Sequence, residues 1–297
     1  MHNFVKSNIS IADSLDEVGF KLKYPKKGFF AVNKERLKVL FMGYSQKAAS
    51  NSLHTLTPEW PLQSSYDETQ KNEIINKRMY AYGLYGSERI FVNKHWERLT
   101  AQNGGEKLYC PICGLHECEE MDHYVPRDHD KYPEYSTHLD NLIPLCHNCN
   151  HKKSNKFLGN DGERLYFNAY FDTLTITQRN ILVGVITPSP VDGLPQIEVN
   201  VNPILSRTNA PDKYIISTID DLGLMNRFND KAKYWLKYEM VRISHRFGQS
   251  WKVIKNEMIE LAMPLPGDPD IVHPAVLGAI ANSTYMEEWF NNETNKL

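Results

Sequence analysis

Two CxxC pairs, Cys110–Cys113 in CPIC and Cys146–Cys149 in CHNC, are the residues whose spacing most directly specifies chemistry. One tight turn presents two sulfurs to a single ion, and two such knuckles close a tetrahedron of thiolates around structural zinc. The turn-forming contexts CPICG and CHNCN favour this over two separate redox pairs. The fifth cysteine, Cys118, and the nearby His116 belong to neither pair and read as loop residues. Zinc of this kind supplies folding energy to a segment with little apolar core; it does not by itself imply catalysis. Between the knuckles lies EMDHYVPRDHD, with Asp122 next to His123; Asn141 stands just before the second pair and Asn150 directly after it. A histidine has the near-neutral pKa of a general base, and carboxylate and amide oxygens suit a hard divalent cation.

The elements that must position these residues are short. MDHYVP reads as a strand, NLIPL as another, and the second knuckle begins a helix whose basic run HKKSNKF extends to Phe157. The order strand, excursion, strand, helix, stapled by four cysteines, brings Asp122, His123, Asn141 and Asn150 toward one place. Strand alternation puts Asp122 and His123 on opposite sides unless the backbone twists. Taken singly, each has a blander reading. Asn141 can cap a turn, Asn150 can cap the helix, and this chain has eleven histidines.

As an ordered set, C-P-I-C … D-H-Y-V-P … N-L-I-P-L-C-x-x-C-N-x-x-K, they resemble the HNH endonuclease family and its ββα-metal fold, in a variant ending in Asn. The likeness covers Tyr109 to Phe157; the Gly-Gly that many such sequences carry in the excursion is missing. The resemblance implies that His123 is the general base, that Asp122 and Asn150 hold Mg²⁺ or Mn²⁺, and that Asn141 orients His123. His151 is the rival metal ligand. It also implies phosphate contacts from Lys152, Lys153 and Lys156, with Arg127 a weaker candidate and His129 and Asp130 left to the excursion. KYPEYS (Lys131–Ser136) is similar to a subgroup found in nucleases of bacterial anti-phage systems, among them the HNH component of Septu systems, which works with an ATPase.

The flanks are expected to be mainly helical. Helices are predicted over Asp67–Gly86, Ser87–Gly105 (capped by Ser87 or Asn93, stopped by the Gly pair) and Asn229–Gly248, which carries Ala232, Trp235, Leu236, Met240 and Ile243 on one face. Ile181–Pro203 reads as a β-hairpin, and the C-terminal stretch as helical on either side of the proline-broken MPLPGDPDIVHP (Met263–Pro274). The fold of the first forty-odd residues is unclear. The expected class is α+β, mainly helical: an N-terminal flank (1–100), a zinc-stapled ββα-metal module (101–158) and a C-terminal accessory region (159–297).

Composition narrows the function. Hydrophobic and charged contents of 41% and 24% are those of ordinary globular protein, and a formal net charge of -2 leaves no global basic field, so nucleic acid must be held by a local patch. The longest apolar run, Ile181–Ile186, is too short to span a bilayer, and four paired cysteines suit a reducing compartment; a cytoplasmic location without membrane partners is expected. No helix-turn-helix or classical zinc finger is recognisable in the flanks. The expectation is therefore a metal-dependent DNA endonuclease licensed by a partner protein, the ATPase of a defence system, with the Asn229–Gly248 helix as a docking element. The rivals are a zinc-ribbon nucleic-acid-binding protein without catalysis and an RNA-directed nuclease.

Overall fold

The computed structural model describes residues 1–21, 26–57, 89–105, 107–127, 132–174, 180–263 and 269–296. The helix expected over Asp67–Gly86, residues His129 and Asp130, and part of the proline-broken loop lie outside them. Among the described residues are nine helices and two two-stranded antiparallel sheets, so the chain is α+β and mainly helical, as expected. It divides into two compact units. One is Asn3–Ile112 with His116–Thr173; the other is Leu174–Leu297 with Met1–His2 and Cys113–Leu115.

In the first unit the N-terminal stretch forms α1 (Ile11–Lys21) and α2 (Lys26–Ala49). Ser10 caps α1, its hydroxyl accepting from the Asp13 N–H at 3.1 Å. Leu15 and Val18 of α1 and Leu37, Phe41 and Tyr44 of α2 are buried, each such side chain contributing roughly 1.5–3 kcal/mol. Helix α3 (Arg89–Gln102) buries Val92, His95 and Leu99. Of the two expected caps, Asn93 lies inside α3 and does not cap it, and Ser87 lies outside the described residues; Gly104 and Gly105 follow the helix end with φ of 108° and 79°, backbone that glycine adopts without strain.

Strand β1 (Glu120–His123) pairs antiparallel with β2 (Leu142–Leu145), Asp122 opposite Ile143 and His123 opposite Leu142. Helix α4 (His147–Lys153) follows, with Cys146 as its N-cap. The helix expected to reach Phe157 stops at Lys153 because Ser154 takes φ 49°, off the helical path. The chain then folds back. Arg164, buried, donates to Asp172 at 2.9 Å and to the Tyr124 hydroxyl at 3.0 Å, and Tyr124 donates in turn to the Tyr166 carbonyl. This network ties the segment after α4 to the residue next to His123.

The second unit contains the expected hairpin, β3 (Leu182–Pro188) with β4 (Pro195–Val201), then α5 (Asp212–Asp221), α6 (Leu224–Ser244), α7 (Trp251–Leu261), α8 (Val272–Asn282) and α9 (Thr284–Thr294). A Cβ on Gly184 of β3 would lie 2.8 Å from that of Ala279, so glycine is what lets strand and α8 approach. Helix α6 begins earlier than periodicity suggests and buries Phe228, Ala232, Leu236 and Ile243. Helix α8 starts inside the proline-rich stretch. Pro274 fits its first turn, where no backbone donor is needed, and the Asp270 carboxylate accepts from the Val272 and His273 N–H groups at 2.9 and 3.0 Å. None of the described helices is long and apolar enough to cross a membrane.

Candidate active site

Cys110, Cys113, Cys146 and Cys149 are buried, and their sulfurs all lie within 4.8 Å of one another. Sulfurs on a zinc tetrahedron with bonds of ~2.3 Å stand about 3.8 Å apart, so the cluster fits that ion. The first knuckle is folded by a small hairpin: Cys110 N donates to His116 O at 2.8 Å and Cys118 N to Leu108 O at 2.7 Å. Gly114 turns the chain with φ 67°, and the Leu115 N–H reaches the Cys113 sulfur at 3.5 Å. Cys118 is buried but outside the cluster, and His116 is exposed; both are loop residues, as their spacing implied.

Strand alternation decides where the remaining groups go. Glu120 and Asp122 share the side of β1 that faces α4, and Asn150 and Lys153, three residues apart, share the side of α4 that faces β1. Lys153 is only 4% exposed, its ammonium 2.7 Å from Asp122 Oδ2 and donating to the His123 carbonyl at 2.8 Å. Burial pushes the Asp122 carboxyl up from its ordinary pKa, and the Lys153 charge opposes that rise. Asn150 donates its side-chain N–H to Glu120 Oε2, and Glu120 Oε1 meets His147 Nδ1 at 2.8 Å. These bonds hold the Glu120 carboxyl below its usual range, and Glu120 raises the pKa of exposed His147.

His123 faces the other way. Its Nε2 lies 2.9 Å from the Ser136 carbonyl oxygen. A carbonyl only accepts, so Nε2 carries the proton and Nδ1 is the basic nitrogen. Burial, with the charges of Arg127 and Lys153, lowers the His123 pKa to about 3, so the imidazole is neutral across the physiological range.

Asn141 was expected to orient His123 by a side-chain or backbone hydrogen bond; its side-chain bonds go elsewhere, and its carbonyl accepts from the N–H of Tyr124, next to His123, at 2.8 Å. Its Oδ1 accepts from Val125 N at 2.7 Å and from the Tyr44 hydroxyl at 3.0 Å, and its Nδ2 donates to Val125 O at 3.0 Å and Tyr135 O at 3.2 Å. Fully buried, Asn141 clamps both ends of the excursion between the strands, next to the Ser136 carbonyl that receives His123. Any influence on the imidazole runs through that backbone.

The structure therefore brings Asp122 and Asn150 onto one β1–α4 face, with His123 across the strand. Both are oxygen donors of the kind a hard cation takes, and Lys153 supplies the positive charge facing Asp122. The three lysines do not form one surface: Lys152 and Lys156 are exposed, whereas Lys153 is committed inward, because its helix face is the one packed on β1. His147 and His151 stack at 6.1 Å on α4. The residues that sequence reasoning missed are Glu120, Lys153 in its buried role, Tyr44 and the Ser136 carbonyl. The i, i+2 spacing of Glu120 and Asp122 and the i, i+3 spacing of Asn150 and Lys153 carried the first two; no local signal carried the others.

With this geometry in view, the family model described as HNH endonuclease matches residues 110–156. Protein ea31 of Escherichia phage lambda is 34% identical over 71 residues, 24% of this chain and 23% of that protein. The chain thus spans less than a quarter of the length of the curated relative it matches. No solved structure matches the chain. Residues 110–156 are thus similar to the HNH endonuclease family and carry a four-cysteine cluster consistent with a zinc site.

Proposed function

We propose that the chain is a metal-dependent endonuclease that hydrolyses DNA phosphodiester bonds. The reading is carried by the HNH match over residues 110–156, within which Asp122 and Asn150 share the face between β1 and α4 while His123 is kept neutral by burial and fixed in one tautomer by a backbone carbonyl. His123 takes a proton from water through Nδ1, and the resulting hydroxide attacks phosphorus as one ester oxygen departs. A divalent cation on Asp122 and Asn150, when bound, supplies Lewis acidity toward the phosphoryl and departing oxygens. Zinc on the four cysteines is structural. Lys152 and Lys156 contact phosphate, giving salt-dependent binding.

In this reading residues 101–158 are the nuclease module, and 1–100 and 159–297 are flanks. The chain is an effector nuclease of anti-phage defence in the cytoplasm, licensed by a partner ATPase that docks on the C-terminal region. That last step rests on the likeness of the KYPEYS segment to such nucleases and not on a site.

One observation favours a second reading, a zinc-ribbon nucleic-acid-binding protein without catalysis. Asp122 and Asn150 each already have an internal partner, Lys153 and Glu120, and a cation must displace the first. Parallel digestion of plasmid DNA and of RNA in Mg²⁺ or Mn²⁺, with and without the product of the neighbouring gene, separates the readings. The proposal expects divalent-dependent DNA cleavage. RNA cleavage alone points to an RNA-directed nuclease, and no cleavage under any condition contradicts the enzyme.

A further inference from the structure

Glu120 has no place in the mechanism above, yet it makes the bonds that orient Asn150. It stands two residues before Asp122 on the same face of β1. Its carboxylate bridges two residues of α4, taking His147 Nδ1 on Oε1 at 2.8 Å and the Asn150 side-chain N–H on Oε2. An ionised carboxylate can only accept hydrogen bonds. It therefore fixes which end of the Asn150 amide is nitrogen, and Oδ1 must face away from it. A free asparagine amide can present either end to its surroundings; a cation needs the oxygen.

We infer that Glu120 is a positioning residue for Asn150: with His147 steadying its far oxygen, it holds the Asn150 amide so that Oδ1 is the atom offered to a divalent cation. This rests on the reading of Asn150 as a cation ligand. Partners that orient metal ligands typically change metal affinity 10–100-fold when removed, and a role of that size is expected of Glu120.

Mn²⁺ binding to the zinc-loaded full chain, followed by the electron paramagnetic resonance of free Mn²⁺, tests this without reference to cleavage. Glu120→Ala should weaken binding roughly 10–100-fold at unchanged zinc content. Glu120→Gln should restore most of it, because its side-chain oxygen still accepts from Asn150. In an Asn150→Ala background, Glu120→Ala should have no further effect. Unchanged affinity in Glu120→Ala overturns the inference while leaving the cation site intact. Loss in Glu120→Gln as deep as in Glu120→Ala also overturns it, since the carboxylate would then act by charge or direct ligation. A wild-type chain with no Asp122-dependent Mn²⁺ site overturns this inference together with the reading beneath it.

Discussion

The cysteine cluster and the Asp122–His123 strand sit side by side in sequence, but they are built on opposite plans. The cysteines converge on one another: four buried sulfurs within 4.8 Å, set by two tight turns. The polar groups on and beside the strand are engaged by unlike partners from several segments, Asp122 by Lys153, His123 by the Ser136 carbonyl, and Asn141 by Tyr44, Val125 and Tyr135. A clamp of identical ligands needs nothing from its surroundings except closure. A site that hydrolyses, as proposed for this strand, needs each group held in one protonation state and one direction, so its partners come from wherever the fold can supply them.

The largest expected break in this contrast is at the clamp. Cys149→Ser should unfold the module, because structural zinc contributes on the order of 10–16 kcal/mol in small domains. Zinc content and circular dichroism report it, and added Mg²⁺ should not rescue it. The face should behave differently. Lys153→Ala leaves a buried carboxylate without its cation and should cost ~3 kcal/mol in denaturant unfolding. Here Mg²⁺ or Mn²⁺ should restore part of the loss, since a divalent ion can replace the missing charge; no recovery would argue against a cation at Asp122.

Protonation probes the packing behind the face. His95 and His138 are buried, and burial lowers each to about 4 from an unfolded value near 6.5. The unfolded chain thus binds these protons more readily, so acid favours unfolding. Stability should be full above pH ~6.5 and fall toward pH 4, by up to ~1.4 kcal/mol per pH unit for each histidine. Denaturant titrations at several pH values check this, and His138→Asn should flatten the slope. Asn141→Ala should cost about 3 kcal/mol, as much as Lys153→Ala, by stranding buried groups of Val125 and Tyr135, and the smallest effect, about 1 kcal/mol, is expected of Tyr44→Phe, which removes a single bond. If the two substitutions cost the same, Asn141 is not the clamp of the excursion.

How much of this was legible in the sequence follows from the same contrast. Cysteine spacing, the paired strands, the helix at Cys146 and the hairpin are local patterns, and each was readable. The family likeness pointed to Asp122, His123, Asn141 and Asn150 but not to what they touch. Tyr44 reaches Asn141 across 97 positions, and nothing near Tyr44 announces it. The Ser136 carbonyl is backbone, which no residue type can signal. Lys153 looked like one of three surface lysines because a basic run is usually a solvated face; only the register of α4 on β1 turns it inward. The overlong helix to Phe157 is a boundary error, decided by the single left-handed residue Ser154.

The central claim is that the strand, and not the clamp, does the chemistry. Its most direct test is plasmid cleavage by wild type and His123→Ala, with zinc measured on both. Divalent-dependent cleavage should fall ~10²–10⁴-fold in His123→Ala while zinc stays at one per chain. Equal cleavage by the two proteins at equal zinc content would contradict it.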